Sequence, residues 1–348
     1  MKSRIVRARS VRSLLLLVVL LAGIGVLLFT LIGDRARYSS MYTANSQNGE
    51  EKKFIKWVDF NIPLAAMEKA LNYDIKAHNE DKTLNWIELL ALTGTKYSGN
   101  WKNYKARDMD EIAKKLLAGD SMEKIRSSKY YEYFFEVYDT VLHEFVGEYS
   151  IEEADKSDGG LTVITKKYGL KNFLPIAKGY SWSHSDDFGN GRSYGYKRKH
   201  LGNDLMGSIG TPVIAVESGT VEELGWNKYG GWRIGIRSFD KKRYYYYAHL
   251  RKNHPFNPRI KKGEKVSAGD VIGYMGMTGY STEENVDGMQ TPHLHFGLQL
   301  IFDESQKEGS DEIWVDVYQL VNLLKKNSPA IVRDDTTKDY YRKSKLLS

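Results

Sequence analysis

The sequence contains no cysteine. That excludes a disulfide scaffold, a thiolate metal site and a cysteine nucleophile. It also has no internal repeat and no low-complexity segment, and its seven prolines are scattered. A large excess of one charge is missing too. The net charge is +7, but Lys2, Arg4, Arg7, Arg9 and Arg12 supply five of these in a stretch without acids. The rest of the chain therefore carries only about +2, which is not the footprint of a nucleic-acid binder. Long hydrophobic runs are absent except one, from Leu14 to Ile32. An apolar content of 41% in 348 residues is ample for two packed domains beyond a targeting segment.

That single run gives the first positive expectation. About 20 apolar residues span a bilayer core as a helix, and the basic flank stays in the cytoplasm. A cleaved signal peptide is the alternative, but its apolar region is roughly 7–15 residues, and Gly33-Asp34-Arg35-Ala36-Arg37 is a poor cleavage site. The reading is a cytoplasmic segment at 1–12, an uncleaved transmembrane helix at 13–33 and a polar linker at 34–52. Residues 53–150 have helical spacing. The segments are Ile62 to Leu71, Trp86 to Leu92, Asp110 to Leu117 and Tyr130 to Val146, the last with an aromatic stripe assigned to a helix core. Glu88 lies in the second, and no motif supports a lysozyme-like acid there. From 151 to 326, Gly-rich turns alternate with short strands: Val213–Val216, Thr220–Glu222, Trp232–Ile236, Tyr244–Ala248 and Val271–Tyr274. A short helix is expected from Tyr318 to Lys326. The tail, 327–348, is charged and expected to be loose.

Four of the eight histidines fall in three motifs of the β region: His200-Leu-Gly-Asn-Asp204, Ala248-His249-Leu250 and Pro292-His293-Leu294-His295-Phe296. Residues two apart on a strand face the same way. His293 and His295 thus project side by side, and Leu294 and Phe296 face a core. Two imidazoles beside a His/Asp pair make a zinc site, and three protein ligands with one open position is the catalytic pattern. Spacing alone does not say which of His293 and His295 binds metal. No His-Glu-x-x-His helix is present, so the thermolysin arrangement is excluded. His78, His143, His184 and His254 are read as surface or satisfied core residues. Tyr245 and Tyr247 are placed on the face of His249, with Tyr247 the better candidate to contact substrate.

Residues from about 181 to 300 resemble the lysostaphin-type (LytM-like) zinc endopeptidases of bacterial cell walls. The likeness rests on Asp187-Phe-Gly189 with Arg192, the three histidine motifs, Gly210-Thr-Pro-Val-Ile-Ala-Val216 and Ser218-Gly-Thr-Val221. Lys262-Gly-Glu-Lys-Val266, Ala268-Gly-Asp-Val-Ile-Gly273 and Thr278-Gly-Tyr-Ser281 complete it. It covers about a third of the chain directly, and nothing before residue 150. It implies one zinc per chain on the floor of a β-sheet groove, with His200, Asp204 and His295 as ligands. It also implies His249 and His293 as unliganded catalytic histidines, and peptidoglycan peptides as substrate. Two departures stand out: a long approach from Tyr280 to His293, carrying Glu283, Glu284 and Asp287, and a long loop, His254-Pro-Phe-Asn-Pro258, after His249. The fold class expected is α+β: a transmembrane helix, a helical membrane-proximal domain, and a mostly antiparallel β peptidase domain with a zinc groove, outside the bacterial cytoplasmic membrane. Residues 53–150 are candidates for envelope partners or for control of the groove. The competing reading is an envelope scaffold or receptor, in division or sporulation, that uses the fold only to bind. Family members of that kind often lose ligands, whereas all five polar residues are present here.

Overall fold

The structure, a computed structural model, describes residues 42–47, 50–154, 162–194, 196–308 and 311–347. The expected cytoplasmic segment and transmembrane helix lie outside these residues. Among the described residues no helix is long and apolar enough to cross a membrane. The chain divides into two units, 1–58 and 59–348.

In the first unit, β1 (Tyr42–Gln47) pairs antiparallel with β2 (Glu50–Ile55). The linker expected over 34–52 thus carries strand residues at 42–47 and 50–52, and its first part, 34–41, lies outside the described residues. The dipeptide between the strands in sequence is Asn48-Gly49, the strongest short hairpin signal, which the polar composition concealed.

The second unit begins with five helices: α1 (Leu64–Asn79), α2 (Trp86–Lys96), α3 (Ala106–Leu117), α4 (Glu123–Arg126) and α5 (Lys129–Leu142). Pro63 stands just before α1, where its missing N–H costs nothing. Asn85 caps α2, its Oδ1 accepting from the N–H groups of Ile87 and Glu88, and the Ser128 hydroxyl caps α5 by accepting from Tyr130. The aromatic stripe is core: Phe134, Tyr138 and Phe145 are buried. Glu88 is ion-paired with Arg126, a structural arrangement.

Position 150 falls inside a strand. β3 (Val146–Ala154) pairs with β4 (Thr162–Leu170). Two short strands follow, β5 (Gly191–Tyr194) and β6 (Tyr196–Lys199), then β7 (Asn203–Met206) and β8 (Pro212–Ile214). The main sheet is antiparallel. It runs β12 (Lys265–Val266), β9 (Gly219–Asn227), β10 (Gly231–Ser238), β11 (Arg243–Ala248), β14 (His293–Leu300), with β15 (Ile313–Val315) and β7 sharing the outer edge of β14. β13 (Val271–Tyr274) pairs with β8. The helix α6 (Tyr318–Leu324) closes the region. One sheet face is apolar core, with Ile234, Ile236, Tyr245, Tyr247, Leu294, Phe296 and Leu298 all buried. Alternation sends the other face into a groove.

Arg243 starts β11 fully buried. Its Nε and Nη2 donate to the two Glu217 carboxylate oxygens at 2.9 and 3.0 Å, and Nη1 donates to the Thr140 carbonyl of α5 at 2.7 Å. Tyr245 also donates to Glu217, at 2.6 Å. A buried, fully partnered ion pair thus ties the last long helix to the sheet.

The tail is ordered into strands, against expectation. β16 (Ile331–Arg333) pairs with β17 (Tyr340–Arg342), and β18 (Lys345–Leu347) adds to β3. The reason is a few apolar residues among the charges. Leu346 joins a core cluster with Phe173, Ile214 and Tyr274, and Ile331 and Tyr340 pack against it. Asp339 accepts from the Tyr274 hydroxyl at 2.8 Å and lies 2.7 Å from His254.

Candidate metal centre and active-site groove

Register builds the site. β7 and β14 pair so that Asp204 stands directly opposite His295, and β11 sets Ala248 on the other side of His295. Paired residues share a face, so Asp204, His293 and His295 all line the groove. His200 enters from the loop before β7. His200 Nε2 lies 2.9 Å from Asp204 Oδ1 and 2.9 Å from His295 Nδ1, and the last two atoms are 3.0 Å apart. A triangle this small leaves a point within zinc bonding distance, roughly 2.0–2.2 Å, of all three atoms. The two nitrogens and one carboxylate oxygen thus fit a metal ion, and they form a candidate metal cluster. Gly202 makes the approach possible. A Cβ there would lie 2.6 Å from the Phe296 carbonyl oxygen and 2.7 Å from the His295 ring.

A shell of hydrogen bonds orients the cluster. His200 Nδ1 faces Asp187, 3.1 Å from its carbonyl oxygen and 3.2 Å from its Oδ2, which leaves Nε2 for the cluster. Asn203 Nδ2 donates to Asp187 Oδ1 at 2.9 Å, and Arg192 Nη2 donates to both Asp187 and Asp204 at 3.0 Å. His184 is hydrogen-bonded to Asn203 and Asn322, so it supports this shell without joining the cluster. Burial opposes charge on His200, but the Asp187 and Asp204 carboxylates outweigh it and raise its pKa to about 9. Burial opposes charge on Asp204 as well; hydrogen bonds and attraction from His200 and His295 hold it far below the usual carboxylate range. Burial lowers His295, despite the pull of Asp204.

His249 and His293 stand beside the cluster, their ring centroids 4.7 Å apart. His249 Nδ1 is 2.8 Å from the Thr278 carbonyl and His293 Nδ1 is 2.8 Å from that of Thr291. Each Nδ1–H donates to its carbonyl, so each Nε2 is left as an acceptor. His293 Nε2 is 3.8 Å from Asp204 Oδ1. Burial, then the neighbouring histidines, depress the His249 pKa well below its ordinary value.

The face assigned to Tyr247 is corrected. His249 has φ 60, in the left-handed region that non-glycine residues rarely enter. This twist ends the alternation after Ala248 and swings the imidazole into the groove. Tyr245 and Tyr247 point the opposite way, fully buried, with the Tyr247 hydroxyl accepting from Val216 N at 3.0 Å. Tyr246 lines the groove instead, its ring 5.9 Å from His295. The two departures noted in sequence meet each other. Asn285 Oδ1 accepts from Asn253 N at 2.8 Å and from Trp232 Nε1 at 2.9 Å, pinning the long approach to the loop after His249. The groove holds about 540 Å³, room for a short stretch of extended peptide. Sequence reasoning gave no role to Arg198, Tyr229 or Tyr280, which form one end of it.

An antiparallel sheet whose polar face carries a His/Asp/His cluster beside two free imidazoles defines a metallopeptidase type of site. Residues 198–308 match peptidase family M23, and over this region the chain is lysostaphin- and LytM-like. It is 42% identical over 125 residues to an L-Ala–D-Glu endopeptidase of Bacillus subtilis, covering 36% of each protein. It is 44% identical over 98 residues to lysostaphin of Staphylococcus simulans, covering 28% of this chain and 17% of that protein. The chain thus spans little more than a third of such curated relatives, or less. A solved structure from Ruminococcus gnavus, named for the lytM glycyl-glycine endopeptidases, shares the fold. Its TM-score is 0.51 at 23% identity, over 77% of this chain and 89% of that one.

Proposed function

We propose that this chain is a zinc metalloendopeptidase that hydrolyses peptide bonds in bacterial peptidoglycan, anchored to the cytoplasmic membrane by residues 13–33 with the groove outside. The observation that carries the reading is the convergence of His200 Nε2, Asp204 Oδ1 and His295 Nδ1 within 3.0 Å, beside two imidazoles with free Nε2 atoms. The name of the Bacillus subtilis relative favours a bond in the stem peptide.

His200, Asp204 and His295 would hold the ion. When bound, zinc would supply Lewis acidity there, able to polarise a carbonyl and to make water more acidic. His249, kept neutral by burial, accepts a proton from the attacking water at Nε2 and returns it to the leaving amine. His293, beside it, would help orient the water. Its fixed Nδ1–H bond to Thr291 holds the ring in place. Arg192, through Asp187 and Asp204, stabilises the negative charge around the ligands. A scaffold would need neither the free Nε2 atoms nor the complete set of three donors. The test is incubation of the zinc-loaded chain with wall sacculi. Peptide-bond cleavage is expected, and it should vanish in His295→Ala. No cleavage, or equal cleavage by that variant, refutes the enzyme.

A pH prediction follows from His200. Its proton must leave Nε2 before a metal can bind, and in the metal-free protein its pKa is about 9. His295 is already neutral near pH 7, since its pKa is depressed, and Asp204 is already ionised. One proton is therefore displaced. Zinc affinity should rise about tenfold per pH unit from roughly 7 to 9 and flatten above. Competition titrations against a chelator at several pH values read this directly. A flat affinity across that window contradicts it. Loss of activity on acidification should thus begin with loss of metal, and saturating zinc should shift it to lower pH.

A further inference from the structure

The geometry points to Arg198 as a specificity-determining residue: we propose that it binds a free carboxylate of the substrate, next to the cleaved bond on the His249 side of the groove. The proposal rests on the peptidase reading and narrows its substrate to acidic peptides.

Arg198 lies on β6 and lines the groove with the metal cluster. Its guanidinium lies close to two rings, 5.1 Å from the centroid of Tyr229 and 5.0 Å from that of Tyr280. Nη2 donates to the Tyr280 hydroxyl. The Tyr280 ring is in turn 6.0 Å from His249, so the cation stands one ring away from a catalytic candidate.

The two rings form a rigid clamp. Asn227 Oδ1 accepts from the N–H groups of Tyr229 and Gly230, fixing the turn between β9 and β10. Tyr280 N donates to the Tyr229 carbonyl at 3.3 Å, and Ser281 N to that of Lys228 at 3.1 Å. Gly231 lets the backbones meet, since a Cβ there would lie 2.3 Å from Thr278 C. Tyr280 itself is held at φ 48, a strained conformation that tight surroundings maintain.

The charges of its neighbours are already met. Arg192 is paired with Asp187 and Asp204, Arg233 with Glu223, and Lys307 with Glu222. Among the described residues no carboxylate pairs with Arg198. Its Nε is buried with no hydrogen-bond partner there. An unmet buried donor on a cation is costly. A guanidinium offers a planar fork that matches a carboxylate, and among the described residues only Nη2 of the Arg198 guanidinium is engaged, by the Tyr280 hydroxyl. Lys199, exposed at the same end of the groove, adds positive potential.

The test uses two synthetic stem peptides, identical except that one has a free carboxyl beside the scissile bond and the other has it amidated. Binding is measured by calorimetry on the full metal-free chain, so that no turnover is required. The wild type should bind the acid about ten- to a hundredfold more tightly than the amide. Arg198→Gln should bind the two alike, through loss of affinity for the acid. Arg198→Lys, which keeps the charge and the stem, should retain part of the preference and guards against a fold defect in the first variant. With zinc restored, the same discrimination should appear in KM and not in kcat. Equal binding of acid and amide by the wild type, or an unchanged ratio in Arg198→Gln, overturns the proposal. A uniform loss for both peptides would make Arg198 only a staple between β6 and the Tyr280 loop, and overturns it as well. Failure to cut either peptide or sacculi refutes the peptidase reading, and the binding ratio still decides the role of Arg198.

Discussion

His249→Ala should lower kcat on peptidoglycan by roughly a hundred- to ten-thousandfold, the range for loss of a positioned general base or acid, with little change in KM. The expectation follows from where the side chain is tied. Its Nδ1 is committed to the Thr278 carbonyl at 2.8 Å, so Nε2 is the only nitrogen that can reach a substrate. Its ring lies 4.7 Å from His293 and 6.0 Å from His295, beside the cluster but outside the triangle of donors. Removing it should therefore leave the metal in place and abolish proton transfer. Steady-state rates on soluble muropeptides, with zinc content measured in the same preparation, check this. A fall in KM-related terms alone, or an intact kcat, would assign His249 a binding role.

The second large effect is on stability. Arg243→Ala should destabilise the fold by about 3–5 kcal/mol, because it strands Glu217 as an unpaired buried charge. Glu217 is 4% exposed, and its remaining partner is the Tyr245 hydroxyl. The Thr140 carbonyl at the end of α5 also loses its donor, so the helical region should loosen from the sheet. For a unit of this size the melting temperature should drop by roughly 10 °C. The double change Glu217→Leu with Arg243→Met should recover most of the loss, since a buried pair is often replaceable by apolar groups of similar volume. Thermal melts of the single and double variants read both. A single variant within about 1 kcal/mol of wild type would contradict the assignment.

How far the sequence could be read depended on the range of the signal. The His293/His295 pair was legible because strand alternation is local, and β14 does place both in the groove. The helices from Leu64 to Leu142 were legible from apolar spacing, with Asn85 and Ser128 as caps. What brings Asp204 beside His295 is the β7–β14 register, and no local pattern encodes it; there the family resemblance supplied the pairing. Tyr247 was misplaced because alternation was carried through His249, whose positive φ reverses the face. The tail was misread because charge dominates its composition, although three residues, Ile331, Tyr340 and Leu346, suffice to dock it. The Arg198 clamp joins residues about 30 and 80 positions apart, beyond any motif.

Metal content of the five alanine variants, at His200, Asp204, His295, His249 and His293, tests the central claim most directly. Atomic emission on the purified chains should find zinc near one per chain in His249→Ala and His293→Ala, and little in the other three. Retention of zinc by His295→Ala together with its loss from His293→Ala would contradict the account, exchanging ligand and catalytic histidine.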